Sequence, residues 1–204
     1  MDSPNLGPCV LEGEFVRLEP LRRTHSEAIW EAAQKLDWAW FLDPLRSKGA
    51  VQKRIDRGLR GEENNQEFAF AVVTKKENQV IGSTSFLSVV QLHRRVEIGS
   101  TWYVPSRQGT AVNPESKFLL LRHAFEDWGA VRVELRTDQN NLHSQRAIEK
   151  LGAKFEGVMR NNGIRLDGSY RYAMLYSIIP SEWPEVKSKL QRRIAGFGSG
   201  QGTS

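Results

Sequence analysis

Hydrophobic and polar positions recur along this chain with two periods, one of about two residues and one of about 3.6. Phe15-Val-Arg-Leu-Glu19 alternates as a strand, and Ala28, Ile29, Ala32, Ala33 and Leu36 then share one helix face, with Thr24-His-Ser-Glu27 as its expected capping box. Val51, Ile55 and Leu59 stand four apart and predict a second helix from about Ala50, whose other face is basic with Lys53, Arg54, Arg57 and Arg60. Runs at 67–74, 79–90 and 95–104 read as strands, and the short polar turns between them imply antiparallel pairing.

A loop over 105–113 leads to a helix over 114–128, with Asn113 expected as N-cap, Pro114 at the first position, and Phe118, Leu121, Phe125 and Trp128 on one stripe. Residues 131–137 alternate as a strand, and a helix follows from Asn141 or His143 to Leu151, stopped by Gly152. Strands over 153–161 and 169–179 surround the turn at Leu166-Asp167-Gly168, and a last helix, capped by Ser181, carries Val186, Leu190 and Ile194. The order β-α-α-β-β-β-α-β-α-β-β-α predicts an α/β (α+β) fold, a mixed and mainly antiparallel sheet of about seven strands flanked by helices. Residues 1–10 read as a loose lead-in, 11–194 as a single domain, and 195–204 as a Gly/Ser-rich flexible tail.

Composition narrows the class. In 204 residues, 39% apolar and 26% charged, with Cys9 as the sole cysteine, collagen-like, disordered and disulfide-rich proteins are excluded. No run approaches the ~20 apolar residues of a membrane span, and Met1-Asp2-Ser3-Pro4 lacks a secretory pattern, so a cytoplasmic protein without membrane contacts is expected. The net charge of +5 is uneven: residues 1–100 hold 14 basic and 14 acidic side chains, residues 101–204 hold 15 and 10. Such a bias suits nucleic acid, an anionic surface or a polyanionic small molecule. The four histidines His25, His93, His123 and His143 lack ligand spacing, so no metal is expected.

Two strand-to-helix junctions carry candidate chemistry. At the first, Trp102 to Lys117, a strand ends, Gly109 turns the chain, and the free amides and positive dipole end of a helix face the loop. That arrangement binds phosphate, and Arg107 and Lys117 would add charge; an ordinary turn with one glycine is the alternative. At the second, Asn141 caps a helix and Gly152 stops it, whereas Asn140 and Ser144 have no such structural duty.

With N-N-x-x-S-x-x-A-I-x-x-L-G-A, E-G-V-M-R, D-G-S-Y-R-Y-A-M-L-Y-S-I and S-E-W-P-E-V, the chain from about Leu11 to Leu190 resembles the GNAT acyl-CoA N-acyltransferases, and within them the RimJ/RimL ribosomal-protein N-terminal acetyltransferases. The resemblance implies acetyl-CoA as co-substrate, its diphosphate wrapped by the amides of Gln108, Gly109, Thr110, Ala111, Val112 and Asn113, with Arg107, Lys117, Asn140 and Ser144 as further cofactor contacts. The usual Arg/Gln-x-x-Gly-x-Gly/Ala loop is altered here, since Arg107 stands only two residues before Gly109. Glu97 is the implied base; a solvent-facing strand carboxylate, or one paired with Arg94 or Arg95, is the alternative. On plain alternation Glu97, Gly99, Thr101 and Tyr103 share one face.

Where many of these enzymes have a Tyr to protonate the leaving thiolate, this chain has Ile148, so Ser144 takes that expected role; where RimL-type enzymes have a second carboxylate, it has Gly163. The acceptor site is expected between the first two helices and the final hairpin, lined by Trp38, Trp40, Phe41 and Tyr103, for which hydrophobic core is the competing assignment. The implied activity is direct acetyl transfer, in a ternary complex, to a primary amine, foremost a peptide or protein N-terminus. A small-molecule acceptor (metabolite, polyamine or antibiotic) and a ribosome- or nucleic-acid-associated module with a vestigial CoA site are the alternatives. A homodimer is left open.

Overall fold

The computed structural model describes residues 6–198. β1 (Leu11–Glu12) and β2 (Val16–Pro20) precede α1 (Ser26–Ala33) and α2 (Lys48–Glu63). β3 (Phe68–Thr74), β4 (Val80–Val90) and β5 (Arg95–Tyr103) lead to α3 (Val112–Arg122). β6 (Arg132–Asp138), α4 (Leu142–Leu151), β7 (Lys154–Ile164), β8 (Tyr170–Ile178) and α5 (Trp183–Gly198) complete the chain. The strands form one sheet in the order β1-β2-β3-β4-β5-β6-β8-β7. The expected class holds, with an eighth strand supplied by Leu11 and Glu12 pairing with Leu18 and Arg17.

All pairings are antiparallel except β5 with β6, which run parallel and touch only where Arg95–Glu97 meet Arg132–Glu134. Beyond that point the strands part: β6 from Leu135 to Asp138 pairs with β8 alone. The sheet therefore opens as a wedge between two strands whose facing backbone groups are left for another partner. α1 and α2 pack on one face of the sheet against β3 and β4, and α3, α4 and α5 associate on the other. Fully buried side chains such as Phe68, Phe70, Phe86, Leu119 and Leu120 fill the interior.

Several local expectations are corrected. α3 starts at Val112, so Asn113 is not its N-cap; Pro114 lies inside the first turn, where a missing N–H costs no helical hydrogen bond. Past Arg122 the helix widens over His123–Asp127, and the Trp128 amide reaches back to the His123 carbonyl at 3.0 Å. Thr24 forms no capping box, because Arg23–His25 make a tight 3-10 turn before α1 and the Arg22 amide donates to His25 Nδ1 at 3.0 Å. Of the lead-in, residues 1–5 lie outside the described residues; Leu6 is fully buried and its carbonyl lies 3.0 Å from His123 Nε2, so this part is anchored. α5 runs through the expected boundary at 194 to Gly198, and the rest of the tail lies outside the described residues.

Glu115 fastens the first strands to α3. Its carboxylate accepts the amides of Glu14, Phe15 and Val16, each at 2.7 Å. A Cβ on Gly13 would sit 2.4 Å from that carboxyl carbon, so this approach needs glycine.

Candidate active site

The first junction leaves β5 through a short turn at Pro105–Arg107 and reaches α3 by way of Gly109 at φ +74°, a left-handed conformation that glycine adopts without strain. Of the six amides expected to face a diphosphate, that of Gln108 closes the turn on Pro105 O at 3.1 Å, and that of Val112 donates to Thr110 Oγ1 at 3.3 Å. The amides of Gly109 and Ala111 have no hydrogen-bond partner among the described residues. Free amides at the positive end of a helix fit an anionic diphosphate. Arg107 lies at the rim, 3.0 Å from Glu77, whose carboxyl it holds below the usual range.

Lys117 corrects the expectation most clearly. Its side chain is buried, and Nζ donates to Thr101 Oγ1 of β5 at 2.7 Å, so it is no rim contact for a phosphate. Desolvation pushes its pKa down to about 7.

The wedge is shaped by a bulge in β5. Gly99 pairs with Ser85, but Trp102 pairs with Ser83, and Ser100 between them takes φ +48°. One residue is thereby inserted and the strand's faces exchange. Thr101 and Tyr103 consequently do not share a face with Glu97. Thr101 meets Lys117 of α3, and Tyr103 is buried beside Ser116 of the same helix. Tyr103 therefore faces α3 and not the segment after α1; on the other face Trp102 packs edge-on against Trp38 with ring centroids 5.3 Å apart.

Glu97 stands before the bulge at the closed end of the wedge, its side chain only 13% exposed and one carboxylate oxygen 3.4 Å from Arg136 Nε. Burial raises its pKa, Arg136 opposes that rise, and the Glu134 charge adds to it. The alternative pairing with Arg94 or Arg95 is not formed among the ion pairs of the described residues. Glu134 accepts from Arg132 at 2.9 Å and Arg136 at 2.7 Å. Asp138, at the open end of β6, is held by Arg165 at 2.8 Å and approached by Arg171 at 3.6 Å. Sequence reasoning passed over Arg136, Asp138, Arg165 and Arg171, although the alternation over 131–137 already put Arg132, Glu134 and Arg136 on one face.

A cleft of about 200 Å³ lies between the segment after α1 and the β7–β8 turn. It brings together Trp38, Trp40 and Phe41 as the sequence suggested, and adds Asp138 and Arg165. Trp38 is both wall and core: it is buried, contacts Phe41 at 5.0 Å and donates to Ala33 O at 3.1 Å. Gly163 sits against this segment, where a Cβ would come 2.9 Å from Leu42 Cδ1. That neighbour is the tip of a flexible leucine, itself 37% exposed, so packing alone does not demand glycine at the position where the resemblance led one to look for a carboxylate.

At the second junction Asn141 Oδ1 accepts the Ser144 amide at 3.0 Å and Gly152 closes α4 at φ +95°. Ser144 is half-buried, and its hydroxyl has no hydrogen-bond partner among the described residues. Asn140 is exposed and its amide turns back onto Asp138 Oδ1 at 2.9 Å. Ile148 packs inward from α4. Among the described residues no cluster of His, Cys, Asp or Glu suits a metal ion, and no helix is long and apolar enough to cross a membrane.

Comparison with known proteins agrees with this fold. The acetyltransferase (GNAT) domain model matches residues 16–154. The probable N-acetyltransferase YjcK of Bacillus subtilis is 23% identical over 83% of this chain and 97% of its own. YdaF of the same organism, a proposed ribosomal N-acetyltransferase, is 26% identical over 54% of this chain and 60% of its own. The crystal structure of a GCN5-related N-acetyltransferase from Brucella melitensis superposes with a TM-score of 0.84 at 26% identity, covering 92% of this chain and 86% of that one.

Proposed function

The chain belongs to the GNAT acetyltransferase family, and from that premise we propose that its acceptor is the α-amine of a peptide or protein N-terminus, acetylated directly from acetyl-CoA in a ternary complex. The observation that carries this reading is the wedge itself, with a buried carboxylate at its closed end and an aromatic cleft at its open side. The cleft has room for about one residue, and its rim is apolar and exposed, with Trp40 44% and Leu166 66% accessible. Such a rim suits a chain that continues past its first residue. YdaF points toward the same class of acceptor by its name. The enzyme family displaces the vestigial binding-module alternative.

Acetyl-CoA supplies the acyl group as a thioester. The free loop amides at the start of α3 hold its diphosphate, and the unpaired edge of β5 receives its amide-bearing arm. Glu97 takes the proton from the acceptor ammonium, directly or through water, so that the amine can attack. Its desolvated setting strengthens it as a base, and Arg136 keeps the ionised form accessible. The Ser144 hydroxyl donates to the sulfur as it departs. Alignment of amine and thioester in the wedge contributes independently of either group. Thiol release in the presence of N-terminal peptides and small amines tests the acceptor: kcat/KM at least ~10-fold higher for peptides supports it, and preference for a small amine overturns it.

A further inference from the structure

A lysine buried without a counter-charge is costly, and a methionine of similar length in its place would be the more stable choice. Lys117 is such a residue: desolvation is the sole cause of its lowered pKa, with no charged group opposing it. Its partner is Thr101, the first residue beyond the bulge. Thr101 Oγ1 also lies 2.8 Å from Thr84 Oγ1 on β4 and 3.3 Å from the Gly99 carbonyl on the near side of the bulge.

Lys117 donates to Thr101, whose hydroxyl carries a single hydrogen. That hydrogen goes either to Thr84 Oγ1 or to the Gly99 carbonyl, and in the second case Thr84 donates to Thr101. The network spans Ser100 and ties both limbs of the bulge to α3, the helix that the loop with the free amides of Gly109 and Ala111 leads into. The two halves of the cofactor site, strand edge and loop, are thus joined through one buried amine.

We propose that Lys117 is a positioning residue for acetyl transfer, which through Thr101 sets the β5 bulge relative to the loop at the start of α3. This rests on the acetyl-CoA reading above. Lys117 touches neither the acceptor nor the Glu97 carboxylate; it acts by holding the strand edge where the thioester must lie. A hydrophobic residue there would leave Thr101 bonded to β4 and to the Gly99 carbonyl but without its tie to α3, so the bulge would no longer be set against that helix.

The test uses the full chain with Lys117→Met, Thr101→Val and Thr101→Ser, reading CoA affinity by calorimetry alongside kcat and KM for acetyl-CoA. Lys117→Met and Thr101→Val are each expected to weaken CoA binding and raise that KM about 10-fold. The double variant should be no worse than either single one, since both break one network. Thr101→Ser, which keeps the hydroxyl, should stay close to the unsubstituted chain. Should Thr101→Val fail to fold, Lys117→Met carries the test alone. CoA affinity and KM unchanged in Lys117→Met would overturn the positioning role while leaving acetyl transfer standing. No CoA binding by the unsubstituted chain would overturn both.

Discussion

Replacing Lys117 with methionine gives a stability change whose sign and pH dependence follow from the structure. The amine has an ordinary pKa of 10.5 in the unfolded chain and about 7 in the folded one, because burial disfavours its charge. Between those values the unfolded chain holds a proton that the folded chain has released. Stability therefore rises with pH from about 7 to about 10.5 and is lowest, and flat, below 7. The full span corresponds to roughly 5 kcal/mol. Methionine removes the whole dependence and forfeits the bond to Thr101, which contributes about 1 kcal/mol. Urea denaturation of both chains from pH 6 to pH 10 isolates this effect, because all other titrating groups cancel in the difference. Lys117→Met should be the more stable protein at pH 6 by several kcal/mol, with the advantage shrinking by roughly 4 kcal/mol on reaching pH 10. Parallel stability curves would refute the argument, since they would mean the amine keeps its charge in the fold.

Glu97→Gln should lower turnover by about 10²–10⁴-fold with CoA affinity retained, measured by thiol release and calorimetry. Because burial raises the Glu97 pKa and only the ionised form accepts a proton, activity should fall as pH drops through a value above the usual carboxylate range, and the glutamine variant should lose that limb. Ser144→Ala should reduce kcat about 10²-fold and leave CoA binding near normal; full turnover would remove Ser144 from the mechanism. Gly109→Val has open space around its Cβ but a backbone at φ +74°, so it should weaken CoA binding through conformational strain of roughly 1–2 kcal/mol, while stability elsewhere is kept.

The elements were legible where their periodicities are undisturbed, as in the alternation over 131–137; the stripe from Phe118 to Trp128 marked a helix but carried no signal of its widening over His123–Asp127. What sequence reading lost traces to single residues that break a period. Ser100, at positive φ, adds one residue to β5 and moves Thr101 and Tyr103 to the α3 side. Alternation has no signal for such an insertion, since serine is not a residue that announces a left-handed turn. Lys117 was read by its charge as a phosphate contact, whereas its place just before the run Leu119, Leu120 and Leu121 was the better clue to burial. The ion network of Asp138 with Arg165 and Arg171 joins β6 to a hairpin more than 25 residues away, and no local pattern links them. The junction signals survived, because Gly109 and the Asn141–Gly152 pair encode backbone conformation directly.

The central claim is that Glu97 and the wedge serve acetylation of an N-terminal α-amine. Its most direct measurement is tandem mass spectrometry of peptides incubated with the protein and acetyl-CoA, comparing free and blocked N-termini that each also carry a lysine. The account predicts a single acetyl group on the α-nitrogen of the free peptide and none on the blocked one. Acetylation of the lysine side chain in both, or of neither peptide while a small amine is consumed, would contradict it.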